Sequence, residues 1–576
     1  MDEPSGAMVN PISAPSYRVS APSRRPSRQR RGAYDYGTLY SGREKRSLTG
    51  HIWATINRSP SWTLTALIFL YLVIACAQAA TKLLWGDELI TLAIARQGSF
   101  TGIWHALALG ADPNPPLMHW LVMLSTNAFG QSAFAVRLPA ILCVLLAIVS
   151  LWVILRRWLS PGYAAIGVLA FMATRGFDYA YDARSYAPLM GFAMASLAFW
   201  LASTTRNGRP RLLALTGMAT ALALGLSSNY YGVLAFFPIA AGEIVRARRA
   251  RHLDAGAWIA MAIAALPLLA YLPLVRHNIA EFTPHAWNRP QGAMVLDSYL
   301  ELVEGIFWPV LAFALYFLWK KMAGPSAFPP ASRKKPPLQT HEAVALAVLL
   351  LYPVLGLCIA EAGAGMVSPR CVAPVCCGFG IAAALLGRRI FGGKARAGIL
   401  LLSAALFWVV ARESVCAVLL AQQRTAFLAL RDEAARVSGN RPIVVADSLF
   451  VLPLAYYSPE EMRARIIFPI DFDAIHRAEK DDSGEQNLWA GRDGVFPIRI
   501  VPYDPSIFTV PGLTVVSRYR GWVPQRLVGN GFTLSGEALT WSQAYLWEQL
   551  GGVFTPMAHE ETRILTANHT RQTTDK

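Results

Sequence analysis

Two adjacent carboxylates, Asp87 and Glu88, follow the first long apolar segment of the chain. Downstream come Asn114-Pro115-Pro116-Leu117 and three arginines, Arg137, Arg184 and Arg370, each abutting an apolar segment. Carboxylates kept at a membrane boundary are costly, so a many-span chain that retains them is expected to be an enzyme or a transporter. If the pair is helical, the two side chains point about 100° apart and need not share a task. Glycoside hydrolysis needs two facing carboxylates, one acid and one base. Transfer from a sugar phosphate needs less, because phosphate leaves as a stable anion; one base and cationic stabilisers suffice. One carboxylate with several arginines fits that second scheme. The bland alternatives are an acidic first helical turn for the pair, and snorkelling or loop pairing for each arginine. Three arginines on one side beside two acids favour an anionic ligand, since the planar fork suits phosphate oxygens.

These residues must be positioned by membrane helices. The chain has 576 residues, 54% of them apolar, and its apolar runs approach the roughly 20 residues that cross a bilayer. The expected fold is a polytopic α-helical membrane protein, with lipid leaving only helices to satisfy the backbone. The net charge of +17 suggests nucleic acid at first, but Lys and Arg fall in short clusters between apolar runs, as membrane orientation requires. A nucleic-acid partner is therefore not expected; the lipid bilayer is.

Residues 1–50 read as a disordered, basic, cytoplasmic tail. With the N-terminus inside, a first span near 62–84 delivers Asp87 and Glu88 to the outer face. The apolar stretch 117–129 is too short to span and reads as interfacial. Placing it there returns Arg156 and Arg157 to the cytoplasm through a span at 136–155. Further spans are expected at 162–177, 186–203, 212–228, 230–245, 257–275, 301–319, 342–361, 371–387 and 397–417, about eleven in all. The domain plan is thus a tail (1–50), a transmembrane catalytic domain (60–417) and an extracytoplasmic α/β domain (418–576). Helical patterns at 424–437 and 449–457 alternate there with strand-like 443–445, 465–468 and 513–516. That domain shows no Gly-rich phosphate loop, and a lid or acceptor-docking module is the better reading.

The outer loops then collect Asp87, Glu88, His105, Asp112, Asn114, His119 and Arg137, followed by Arg175, Asp178, Tyr181, Asp182, Arg184 and Tyr186. Asn229, Tyr230, the loop 276–297 and Arg370 join them. The seven cysteines lie in or beside apolar segments, without metal-ligand spacing to histidine or a disulfide framework. No metal site is evident, although Asp87 and Glu88 could share one divalent ion with a donor phosphate.

The ordered motifs Trp85-Gly86-Asp87-Glu88, Asn114-Pro115-Pro116-Leu117-Met118-His119, Val136-Arg137-Leu138-Pro139, 179–186 (Tyr-Ala-Tyr-Asp-Ala-Arg-Ser-Tyr), Ser228-Asn229-Tyr230 and Pro369-Arg370 resemble the GT-C superfamily. These are polyprenyl-phosphate-sugar-dependent glycosyltransferases, and the likeness is to the protein-mannosyltransferase and aminoarabinose-transferase branch. The resemblance covers most of residues 60–390. It implies inverting transfer of a sugar from a polyprenyl-phosphate donor to an envelope glycan, glycolipid or protein acceptor. The reaction would take place outside the inner membrane. It implies Asp87 as base with Glu88 supporting it. Arg137, Arg184 and Arg370 would surround the donor phosphate or hold the site's shape, with Tyr186, Asn114, His119, Asn229 and Tyr230 beside the substrate. The chain departs from the family at Asn114, where His-Pro-Pro is usual, at Ser228-Asn229-Tyr230 for Thr-His-Tyr, and at Tyr181-Asp182-Ala183-Arg184 for Arg-Glu-Ala-Arg. Two candidate imidazole ligands are thereby lost, and no cofactor is expected. A lipid-linked-sugar flippase and a non-catalytic assembly protein are the alternatives; no internal repeat supports the first, and Asp87 speaks against the second.

Overall fold

A computed structural model describes residues 48–569, apart from 287, 323–337, 393, 480–481, 510–511, 519–520 and 537–561. The basic tail lies outside the described residues up to 47; Leu48–Arg58 is helical, so residues 48–50 belong to a helix rather than to the tail.

Five helices are long and apolar enough to cross a membrane: Pro60–Thr81, Ala133–Trp158, Tyr186–Ser203, Arg209–Ser228 and Ala395–Ser438. Two bent pairs qualify when each is taken together, Ala255–Ala264 with Pro267–His285 at 40° and Thr340–Leu350 with Tyr352–Gly363 at 60°. Proline opens the second member of each pair at Pro267 and Pro353; a ring in place of N–H tolerates a first turn and breaks an interior one. The four other expected spans are shorter helices, Pro161–Met172, Phe236–Ala250, Phe307–Met322 and Val375–Phe391. The expected span 162–177 stops at Met172, and the chain turns into a 3₁₀ segment, Arg175–Tyr181, that carries loop residues of the site. Large apolar side chains such as Phe69, Leu142 and Phe407 are exposed on these helices, as a lipid-facing surface requires.

Helix Leu117–Phe129 has 13 residues, about 20 Å at 1.5 Å per residue, short of the roughly 30 Å hydrocarbon core. It packs beside the helix that carries the acidic pair, Gly86–Ala95. Pro139 sits inside Ala133–Trp158 and cannot bond the carbonyl four residues back. The Ser125 hydroxyl donates to that carbonyl, Ala135, at 2.6 Å, which is how membrane helices accommodate proline.

The boundary at 417/418 falls inside one continuous 44-residue helix, Ala395–Ser438. Beyond it stands a six-stranded sheet of β1 (Ile443–Val445), β2 (Ile466–Ile470), β3 (Arg499–Pro502), β4 (Leu513–Arg518), β5 (Phe532–Ser535) and β6 (Thr562–His569), in the order β3-β2-β1-β4-β6-β5. The first four positions are parallel; β6 and β5 add antiparallel. Strands β1 and β2 are buried throughout, which is why they read as uninterrupted apolar runs. Strand β3 is half-exposed and carries no such run.

The sheet domain touches the acidic loop directly. Helix Ser448–Tyr457 packs on Gly86–Ala95, and Tyr457 accepts a hydrogen bond from the Leu84 amide at 2.6 Å. Gly86 suits this approach: a Cβ there would make a tight contact, 3.0 Å from the Leu449 carbonyl oxygen.

Candidate active site

Asp87 and Glu88 occupy the first turn of Gly86–Ala95. Carboxylates are favoured there by the helix dipole, and Glu88 reaches back to the Trp85 amide at 3.4 Å, closing the helix start. The helical turn sends the two side chains to different places.

Glu88 is fully buried. Its Oε1 accepts from Arg137 Nε at 2.7 Å and from the Ala183 amide at 2.8 Å; its Oε2 accepts from Arg137 Nη2 at 2.5 Å. Arg137, also fully buried, donates from Nη1 to the carbonyls of Ala79 (2.8 Å) and Lys82 (2.7 Å) and from Nη2 to Leu83 (2.9 Å). A guanidinium has five N–H groups, and all five are engaged within the protein. Of the two roles the motif order implied for Arg137, this geometry fits holding the site's shape. It ties the frayed end of the first span to the acidic helix and leaves no donor for a phosphate.

Asp87 is different. Its side chain is about a fifth exposed (21%), and Oδ2 lies 3.7 Å from both Arg184 Nε and Arg370 Nη1. Burial raises its pKa above the ordinary carboxylate value, more than Arg184 and Arg370 lower it. Arg184 donates from Nη1 to Asp112 Oδ2 at 2.7 Å, to Thr91 Oγ1 at 3.2 Å and to the Asp87 carbonyl at 3.2 Å. Arg370 lies against the rings of Trp85 (5.7 Å) and Tyr186 (6.0 Å), a packing that aims a cation while excluding water from one side.

Asn114 and Asn229, where the family has imidazoles, meet in space. Asn114 Oδ1 accepts from Ser185 Oγ at 3.0 Å and from Asn229 Nδ2 at 3.3 Å, and Asn229 Nδ2 also donates to Ser185 at 3.0 Å. They join three loops without forming a ligand cluster. Among the described residues no group of three or more His, Cys, Asp and Glu is placed to hold a metal ion. His119 is buried with both ring nitrogens lacking a hydrogen-bond partner, 3.6 Å from Asp112 Oδ2. The hydroxyl of Tyr230 is buried and also without a hydrogen-bond partner.

Two participants were missed. Lys82 lies 3.8 Å from Asp182 and 3.9 Å from Glu88, near the rings of Trp85 and Tyr181. A lone lysine at the end of a span reads as an orientation marker; only its place three residues before Trp85 hinted otherwise. Asp112, seen as one more loop acid, is the buried anchor of Arg184. Asp182 binds the Trp85 indole N–H at 2.9 Å, and its carboxyl sits below its ordinary range: burial alone would raise it, and Lys82 and the indole outweigh that. The ion pairs form two sets of two acids and two cations, Glu88 and Asp182 with Lys82 and Arg137, and Asp87 and Asp112 with Arg184 and Arg370. By formal charge each set is balanced.

Residues 113–274 match the family described as dolichyl-phosphate-mannose-protein mannosyltransferase. An undecaprenyl phosphate-alpha-4-amino-4-deoxy-L-arabinose arabinosyl transferase of Edwardsiella ictaluri is 28% identical over 198 residues, 33% of this chain and 35% of that protein. A second transferase of that description, from Pseudomonas fluorescens, is 24% identical over 186 residues, 31% of each chain. The chain thus spans about a third of the length of the curated relatives it matches. The crystal structure of ArnT from Cupriavidus metallidurans in the apo state superposes with a TM-score of 0.55 at 17% identity, covering 88% of this chain and 97% of that one. The same protein bound to undecaprenyl phosphate gives 0.50 at 16% identity, over 88% and 98%. The resemblance to the GT-C superfamily, in its aminoarabinose-transferase-like branch, is borne out by family match and fold together.

Proposed function

We propose that this chain is an inverting membrane glycosyltransferase that moves a sugar from a polyprenyl-phosphate donor to an envelope glycan or glycolipid. The observation that carries this reading is Asp87, a partly exposed carboxylate of raised pKa with two arginines at 3.7 Å. A base poised for protons and cations poised for phosphate share one oxygen atom's surroundings. The likeness to an undecaprenyl-phosphate-bound structure supports the donor class.

In this scheme the donor phosphate competes with Asp87 for Arg370 and for the Nε–Nη2 edge of Arg184, whose Nη1 stays on Asp112. The acceptor's hydroxyl or amine attacks the anomeric carbon from the face opposite the phosphate. The bond from that carbon to the phosphate oxygen breaks, and its electron pair stays on the polyprenyl phosphate. The acceptor proton passes to Asp87. The phosphate gains one negative charge and the site loses one, so the total is unchanged. Glu88 and Arg137 hold the loop; Tyr186, Asn114, His119, Asn229 and Tyr230 line the substrate side.

The catalytic domain spans 60–417 by about eleven segments, Pro161–Met172 crossing together with the residues that follow it, with the tail cytoplasmic and the sheet domain extracytoplasmic, in the inner membrane. Reporter fusions after Arg157 and Arg209 then read cytoplasmic, and one after Arg424 reads external; a cytoplasmic Arg424 overturns that orientation. Purified protein incubated with labelled polyprenyl-phosphate sugars and extracted envelope lipids tests the activity. Label appearing on the acceptor, with polyprenyl phosphate released, is expected. Movement of intact donor across vesicles without transfer would make the chain a flippase.

A further inference from the structure

Arg184 presents its guanidinium unevenly. Every hydrogen bond its side chain makes to a described residue runs through Nη1, to Asp112, Thr91 and the Asp87 carbonyl. Nε is buried without a hydrogen-bond partner, 3.7 Å from Asp87 Oδ2. Nη1 is pinned, and the Nε–Nη2 edge makes no hydrogen bond to a described residue. That edge is the planar fork that takes two oxygens of a phosphate at once.

Asp112 does the pinning. It is buried, and its other oxygen accepts two bonds from Asn114, from the amide at 2.8 Å and from Nδ2 at 2.6 Å. His119 Nε2 stands 3.6 Å from the oxygen that holds Arg184. Burial alone would raise the pKa of Asp112, but Arg184, His119 and Asn114 together hold it well below the carboxylate range. Its charge therefore persists at any working pH, unlike a base that must take up a proton.

We propose that Asp112 is a positioning residue for the donor: through Nη1 it locks the Arg184 fork so that Nε and Nη2 face the donor phosphate. This rests on the transferase reading above. Without Asp112 nothing holds Nη1, and Arg184 can close the 3.7 Å gap to Asp87 Oδ2 and hydrogen-bond the base, which costs donor affinity and turnover while leaving acceptor KM unchanged.

The test uses full-length purified protein and donor and acceptor saturation curves. Asp112→Asn keeps the size and removes the charge. Donor KM should rise roughly tenfold, the worth of one charge-assisted hydrogen bond, with acceptor KM unchanged. Asn114→Ala, which removes one of the two bonds aligning Asp112, should raise donor KM in the same direction by less; it serves if Asp112→Asn does not fold. In an Arg184→Lys background, Asp112→Asn should add less than about threefold, because both changes act on one contact. A full additional effect there, or equal losses for donor and acceptor, overturns the positioning role. If Arg184→Lys alone leaves donor saturation at wild type, the phosphate-binding reading fails instead, so the two failures are distinguishable.

Discussion

Asp87 and Glu88 are neighbours in sequence and opposites in surroundings. Glu88 has no solvent exposure and is closed by Arg137 and two backbone amides. Asp87 keeps about a fifth of its side chain exposed (21%) and meets its two arginines only at 3.7 Å. A saturated carboxylate can hold a loop; an under-coordinated one can change partners and take a proton. The helical turn between two adjacent acids is enough to separate scaffold from chemistry.

The first way to break this contrast is to break the scaffold. Arg137→Ala leaves Glu88 buried with only Lys82, 3.9 Å away, as a cation, and breaking a buried pair in this way costs up to about 3–5 kcal/mol. A large fall in thermal midpoint and in yield is expected; a protein of wild-type stability would remove Glu88 and Arg137 from the scaffold role. Asp87→Ala, by contrast, should leave the midpoint nearly unchanged.

Next in size come the donor arginines. Arg184→Lys and Arg370→Lys each retain charge and lose the planar fork, so donor KM should rise roughly tenfold or more with acceptor KM steady. Wild-type curves for both would leave them structural roles only, Arg184 on Asp112 and Arg370 against the Trp85 and Tyr186 rings.

The pH profile sharpens the contrast. Asp87 must be ionised to accept a proton, and its pKa is raised by burial. Activity should therefore fall as pH drops through that raised value, with the acid limb above the ordinary aspartate pKa of about 3.9. An acid limb at or below that value would point to another base. The smallest expected effect is that of a chelator: leaving-group charge is met by arginine, so chelation should change turnover little. Activity abolished by chelation and restored by added metal would contradict this.

Much of this site was legible because its chemistry is local. Asp87 beside a span end, and lone arginines abutting apolar segments, mark themselves by type and place. The short helix at Leu117–Phe129 was marked by its length. What was hidden depends on tertiary pairing. Nothing near Arg137 in sequence shows that Ala79, Lys82 and Leu83 will consume its donors, and nothing near Asp112 shows that Arg184 will reach it. The chain loses hydrophobicity near 418, which does not reveal that the helix itself runs on to Ser438. Strand β6 pairs antiparallel with both β4 and β5, an addition that no alternating helix–strand pattern announces.

The central claim is that Asp87 takes the acceptor's proton. Asp87→Asn preserves size and removes the base, so turnover with labelled polyprenyl-phosphate sugar should fall by about two to four orders of magnitude. Donor binding and thermal midpoint should stay near wild type. A well-folded Asp87→Asn protein that transfers sugar at close to the wild-type rate would contradict the account.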